Sequence, residues 1–180
     1  MIAGRLIATG LADGYVIGRA GPDDTNFVVR SWTRSARMTE SGMRMPVDAW
    51  YLYHRDGVIP RILERGTVFV ARDSQQPIWM HGFLVAERID DALCVHWAYI
   101  KRDSRGYGVA RDLLDTAVEV LGAGAERLVY SHDVRVLVEG YDSTGRRKLL
   151  PSMGIERKLQ AMGFQRVAVE KLVREVREVA

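Results

Sequence analysis

Apolar residues along this chain change period several times, and the changes divide it into short strands and amphipathic helices. Tyr15 to Ala20 reads as a first strand, followed by the turn residues Gly21-Pro22-Asp23-Asp24 and by Thr25, placed to cap a helix. From Asn26 to about Met38, Phe27, Val28, Trp32 and Ala36 form an apolar stripe while Arg30, Arg34 and Arg37 occupy other faces, which predicts an amphipathic helix. Thr39 to Met45, with glycine and methionine, reads as loop, and Pro46 suits the first turn of a second helix running towards Arg65, divided by Gly57 and Pro60. Beyond Gly66, Thr67 to Ala71 is β-branched and apolar and predicts a strand, Asp73 to Pro77 a turn, and Ile78 to Arg88 the next strand. Asp90-Asp91 makes a hairpin into Ala92 to Ile100, so three strands meander.

The second half opens with a different period. After Gly106 and Gly108, the apolar positions Val109, Leu113, Leu114, Ala117, Val118 and Leu121 recur at helical spacing, and Gly122 and Gly124 end that helix. Glu126 to Ser131 is a strand whose return beside Ala92 to Ile100 completes a parallel β-α-β crossover. Asp133 to Ser152 is either a hairpin or a substrate-side loop. Met153 to Met162 reads as helix, and Gly163-Phe164 opens a last strand to about Val169. Glu170 to Val179 is compatible with helix or strand, and Met1 to Gly14 with a short strand, an arm or a partner contact, so a homodimer is an open arrangement.

Composition narrows the class. With 180 residues and 47% apolar content the chain can bury one sizeable core, and one α/β domain is the default. The expected division is an N-terminal extension over 1–14, a single domain over 15–169 and a C-terminal tail over 170–180. A net charge of +3 is compatible with an anionic ligand but too weak to argue for nucleic acid alone. The single Cys94 excludes an internal disulfide framework and fits a cytoplasmic setting. No run approaches the roughly 18 apolar residues of a membrane span, and 1–14 lacks a basic region followed by a long apolar one, so no membrane partner is expected.

Ile100 to Leu114 carries the chemistry, because an apolar strand there runs through a glycine-spaced loop into a helix. A helix N-terminus presents unpartnered N–H groups and the positive end of the dipole, and glycines let a phosphate approach the backbone, so the stretch reads as a pyrophosphate cradle with Arg102 and Arg105 adding charge. The dinucleotide fingerprint Gly-x-Gly-x-x-Gly fails for want of a third glycine, and no Gly-Lys-Ser/Thr loop is present. An ordinary glycine turn between strand and helix is the plainer alternative. What remains, Arg-x-x-Gly-x-Ala over Arg105 to Ala110, resembles the acetyl-CoA motif of the GNAT superfamily of N-acetyltransferases. Ile17 to Asp24 looks like the opening of many GNAT domains, shortened by a residue, and the helix-Gly-Phe-strand ending at Gly163-Phe164 resembles the GNAT C-terminal half.

The resemblance implies a central mixed, mostly antiparallel sheet with helices on both faces, and acetyl-CoA as co-substrate. It places pantetheine along the backbone of Ala98, Tyr99 and Ile100, between two splayed strands, and pyrophosphate on Arg105, Gly106, Tyr107, Gly108, Val109 and Ala110. It also implies direct attack of an amine on the thioester, without a covalent enzyme intermediate, so Cys94 is read as a core residue. An alkylamine is mostly ammonium at neutral pH, so a base is expected. His96 is the first candidate, by position and by likeness to the arylalkylamine branch of the superfamily, against the alternative of a hydrogen-bonded sheet histidine. Glu87 is the second candidate base, against that of a solvated strand-end carboxylate; His54, His81 and His132 have weaker claims. The histidines lack metal-binding spacing, and no catalytic metal is expected. Where many GNAT enzymes carry a tyrosine that protonates the departing thiolate, this chain has Leu159, leaving Tyr130, Tyr141 or water for that task.

The acceptor side is expected between the early helices and the segment after Ser131, with Trp32, Trp50, Tyr51, Tyr53 and His54 as aromatic surface. Arg146, Arg147 and Lys148 suit an acidic substrate, nucleic acid or a solvated loop. Two further functions stay open: a non-catalytic acyl-CoA-binding module, and a nucleic-acid-binding or nucleic-acid-modifying protein.

Overall fold

The computed structural model of the protein describes residues 5–7, 14–131, 136–141, 147–152 and 154–166. Its centre is a seven-stranded sheet in the order β1 (Arg5–Ile7), β2 (Tyr15–Arg19), β3 (Thr67–Asp73), β4 (Met80–Ile89), β5 (Ala92–Ile100), β6 (Arg127–Tyr130) and β9 (Gln165–Arg166). Pairing is antiparallel from β1 through β5 and parallel from β5 to β6 and from β6 to β9. A separate hairpin joins β7 (Val136–Tyr141) to β8 (Arg147–Ser152), so of the two readings of 133–152 the backbone adopts the hairpin. Residues 5–7 add an edge strand, one of the forms the N-terminal stretch allows. The expected strand beyond Arg166, the tail after 170, and His132 lie outside the described residues.

Strand alternation sorts side chains onto two faces. Leu84 and Ala86 of β4, with Leu93 and Val95 of β5, pack beneath α5 (Val109–Leu121), which buries Val109, Leu113, Leu114 and Ala117. Phe83 and Val85, with Trp97, face the other layer. That layer is built from α1 (Thr25–Arg37), whose Val28, Trp32 and Ala36 are buried at helical spacing, and from α4 (Ile59–Arg65), which buries Ile59 and Ile62. The rings of Trp32 and Trp97 stack at 5.9 Å, and Phe27 of α1 meets Phe83 and Tyr99 edge-on. The result is the expected mixed α/β sheet with helices on both faces.

Local differences from the sequence reading have physical causes. Thr39 to Met45 is not all loop: Thr39 caps a short α2 (Glu40–Arg44), its hydroxyl accepting the Gly42 N–H at 3.2 Å. Gly42 reads as a breaker but is a close-approach residue, since a Cβ there would lie 2.5 Å from the Ala36 carbonyl. Thr25 is the first residue of α1, and the buried carboxylate of Asp24 accepts the Gly21 N–H at 2.7 Å and pairs with Arg72. Gly57 and Pro60 do not divide the second helix. After α3 (Val47–Trp50) the chain widens into a π-helical stretch, Tyr51–Val58, where the Ile59 N–H bonds to the His54 carbonyl; Pro60, with no N–H to offer, then sits in the first turn of α4 without breaking the path. β4 begins at Met80, leaving Ile78 and Trp79 exposed in the preceding turn.

Candidate active site

The site begins with a defect in β5. Val85 pairs with Trp97 and Ala86 with Val95, so His96 is an extra residue opposite no partner on β4. This bulge explains why Val95 and Ala98, three apart, lie on the α5 face, while Trp97 lies on the other. The parallel ladder between β5 and β6 stops at the same place: Val95 pairs with Tyr130, and the last bond runs from the Ser131 N–H to the Val95 carbonyl at 3.1 Å. Among the described residues that ladder goes no further, while β5 itself continues to Ile100.

His96 is the bulged residue and is 2% exposed. Its Nε2 lies 2.9 Å from Glu87 Oε2 and its Nδ1 lies 2.8 Å from Ser131 Oγ. Glu87 is not a solvated strand-end group. Its side chain is 12% exposed and is flanked on the outer side by Arg65 Nε at 3.5 Å. Burial pushes the Glu87 carboxyl up, but the His96 hydrogen bond, the His96 charge and Arg65 together hold it below its ordinary value. The two candidate bases are therefore one coupled pair. Cys94 lies on the same strand with Sγ 3.9 Å from His96 Nδ1; burial pushes its thiol up to about 12, so it stays protonated and inert, in keeping with a core residue.

The loop after β5 is held from below. Arg102–Ser104 forms one 3₁₀ turn whose buried Ser104 hydroxyl lies 2.9 Å from His81 Nδ1, and Arg105 folds back to donate from Nε to the Ile100 carbonyl at 3.2 Å. Gly106 and Gly108 have φ of 89° and 88°, a left-handed backbone that costs glycine little. Gly108 caps α5, and the Gly108 carbonyl takes the N–H groups of Arg111 and Asp112. The successive N–H groups from Gly106 to Ala110 have no protein acceptor among the described residues. Left-handed glycines followed by a helix start are a backbone arrangement in which such a row of donors can receive an anion at the positive end of a helix. Tyr15 donates to the Asp112 carboxylate and ties β2 to the first turn of α5. Val109 is 1% exposed, so only its backbone faces a ligand, whereas Tyr107 is open to solvent.

Other expectations fare differently. Trp32 and Trp50 are core residues, 4% and 2% exposed, and only Tyr51 and Tyr53 of the aromatic set present open surface. His54 stacks on Trp50 at 3.7 Å, and its burial holds the imidazole below the ordinary 6.5. Tyr130 is fully buried in the α5 layer and Leu159 is 1% exposed; the side chains of Tyr141, Arg146, Arg147 and Lys148 lie outside the described residues. Sequence reasoning missed Ser131, Arg65 and the Ser104–His81 anchor. Ser131 was visible as the end of a strand expected beside β5, but the register that sets it against His96 was not. A groove of ≈ 780 Å³ between α1 and the π-helical stretch, lined by Arg30, Arg34, Tyr51 and Arg55, also had no signal beyond scattered arginines. Among the described residues no cluster of His, Cys, Asp and Glu suits a metal, and no helix is long and apolar enough to cross a membrane.

No protein-family profile matches the chain, and no curated protein matches it. Solved structures do. A protein from Pyrococcus furiosus described as an acetyl transferase aligns with a TM-score of 0.55 at 15% identity, over 86% of this chain and 95% of that chain. A GCN5-related glucosamine N-acetyltransferase region of a fungal multi-domain β-N-acetylglucosaminidase aligns with a TM-score of 0.50 at 18% identity, over 85% of this chain and 17% of that much longer one. With its meander, bulged strand and glycine-capped helix, the chain is similar in fold to these solved structures.

Proposed function

We propose that this protein is an acetyl-CoA-dependent N-acetyltransferase in which an amine attacks the thioester directly. The observation that carries the reading is the alignment of two features along one strand. The row of free N–H groups from Gly106 to Ala110 lies at one end of the Ala98–Ile100 backbone, and the His96–Glu87 pair at the other. That row suits the pyrophosphate of CoA, with the positive φ at Gly106 and Gly108 giving a backbone that a side chain would obstruct. The backbone of Ala98, Tyr99 and Ile100, which has no ladder partner on the β6 side among the described residues, suits the amides of pantetheine. That run directs the thioester towards His96, where alignment of the two reactants and hydrogen bonding to the developing oxyanion supply most of the acceleration.

The Glu87 carboxylate, 2.9 Å from Nε2, orients the imidazole and stands opposite the nitrogen that would take the proton the amine must lose. The CoA thiolate is a good leaving group near neutral pH, so the leucine at 159 is compatible with turnover. Incubation with acetyl-CoA and a panel of primary amines, followed by thiol release, tests the reading. Amine-dependent release is expected. The second reading, a non-catalytic acyl-CoA-binding module, is favoured by the burial of Leu159 where a general acid would otherwise sit, and it requires binding without release at any amine.

A further inference from the structure

His96 is engaged at both ring nitrogens, and this fixes which of them can accept a proton. The Glu87 carboxylate is an acceptor only, so the imidazole nitrogen facing it, Nε2 at 2.9 Å, carries the hydrogen in the neutral ring. The lone pair is then on Nδ1, and 2.8 Å away stands the hydroxyl of Ser131, which donates to it. At 2% exposure, with Glu87 on one side and Ser131 on the other, the basic nitrogen has no open path to an acceptor amine. Ser131 lies nearer the surface: it is half-buried, follows the last residue of β6 and is fixed by its N–H to the Val95 carbonyl.

We infer that Ser131 is a further catalytic residue, whose hydroxyl passes the proton of the attacking amine to His96 and later returns it to the departing sulfur. This rests on the acetyltransferase reading above. The alkylammonium first passes one proton to Ser131 Oγ while the Ser131 hydrogen moves to His96 Nδ1, giving an imidazolium facing Glu87, and the free amine then bonds to the acetyl carbon. The C–S bond breaks, the electron pair leaves on sulfur, the imidazolium proton returns through the same hydroxyl to the thiolate, and the second proton on the new amide nitrogen leaves to water. Alkylammonium and acetyl-CoA give amide, free CoA and one proton released to solvent, with no net change in the protein. The route supplies the acid that neither Leu159 nor the buried Tyr130 can.

The groups facing the ring are Glu87 of β4 with Arg65 of α4 behind it, Cys94 of its own strand and Ser131, so a pH profile reports on this set. The test compares wild type, Ser131→Ala and Ser131→Thr with acetyl-CoA and two nucleophiles: 2-phenylethylamine, an ammonium ion at neutral pH, and hydroxylamine, already unprotonated there. Loss of one acid-base group predicts a fall of about 100-fold in kcat with 2-phenylethylamine for Ser131→Ala, a far smaller fall with hydroxylamine, and recovery in Ser131→Thr. Equal falls with both nucleophiles, or no fall, overturn the proposal. So does a His96 ¹⁵N spectrum in which Nδ1 carries the hydrogen, or is unmoved by Ser131→Ala, and this readout needs no acceptor. An acetyl group trapped on Ser131, seen by mass spectrometry, overturns it in favour of a covalent route. Calorimetry separates the two levels: if wild type fails to bind acetyl-CoA, the acetyltransferase reading itself fails.

Discussion

Glu87 is the hydrogen-bond partner of His96 Nε2, and its own titration has a sign that can be measured. In the unfolded chain the carboxyl titrates at its ordinary 4.5; in the folded protein it lies lower, so folding favours the ionised form. The contribution to stability is complete above that pH and is lost as the pH falls through the folded value. Glu87→Gln should cost about 1.5–3 kcal/mol at pH 7, the range for a hydrogen bond to a charged group. Urea unfolding should show the gap between wild type and variant narrowing as the pH falls below 4.5, whereas a pH-independent gap would refute this account of the pair. Cys94 gives a second test. A buried thiol pushed up to about 12 should resist a disulfide reagent at pH 8 in the native protein and react only after denaturant is added; rapid native labelling would contradict its place in the core.

At the scale of elements, helices with sharp chemical ends were legible and features of register were not. The expected span of α5, Val109 to Leu121, agrees with the structure because Gly108 must take a positive φ at one end and glycines follow the other. The bulge at His96 left no trace, since Leu93 to Trp97 is buried throughout and shows no alternation to shift. Glu87 and His96 were accordingly seen as rivals, when cross-strand register makes them partners. Leu159 of α6 (Gly154–Ala161) carries the prediction at this scale. Its side chain packs in the α5 layer with Phe164, so Leu159→Tyr should be an overpacking change, costing about 1–3 kcal/mol without raising thiol release. Thermal unfolding and turnover of this variant check both halves, and a stable, faster enzyme would show that the position faces the substrate.

For the molecule as a whole, the sheet does two jobs. Its antiparallel half is packed on both faces, and its parallel half pairs with β5 over four residues, Ala92 to Val95. The row of N–H groups at the start of α5, without a protein acceptor among the described residues, must be satisfied by a ligand or by water. The α/β class and the loop were readable because local patterns dictate them; the meeting of His96 with Ser131, 35 residues on, is set by strand register, and only the fold reveals it. Everything proposed about activity depends on that strand and loop holding acetyl-CoA. Calorimetric titration of acetyl-CoA into the wild type and into Gly108→Glu, with circular dichroism to show that the variant is folded, is the most direct test. One-to-one binding by wild type, weakened at least about tenfold, or 1.4 kcal/mol, in the variant, is the predicted result. No binding by wild type, or equal binding by both folded proteins, would contradict it.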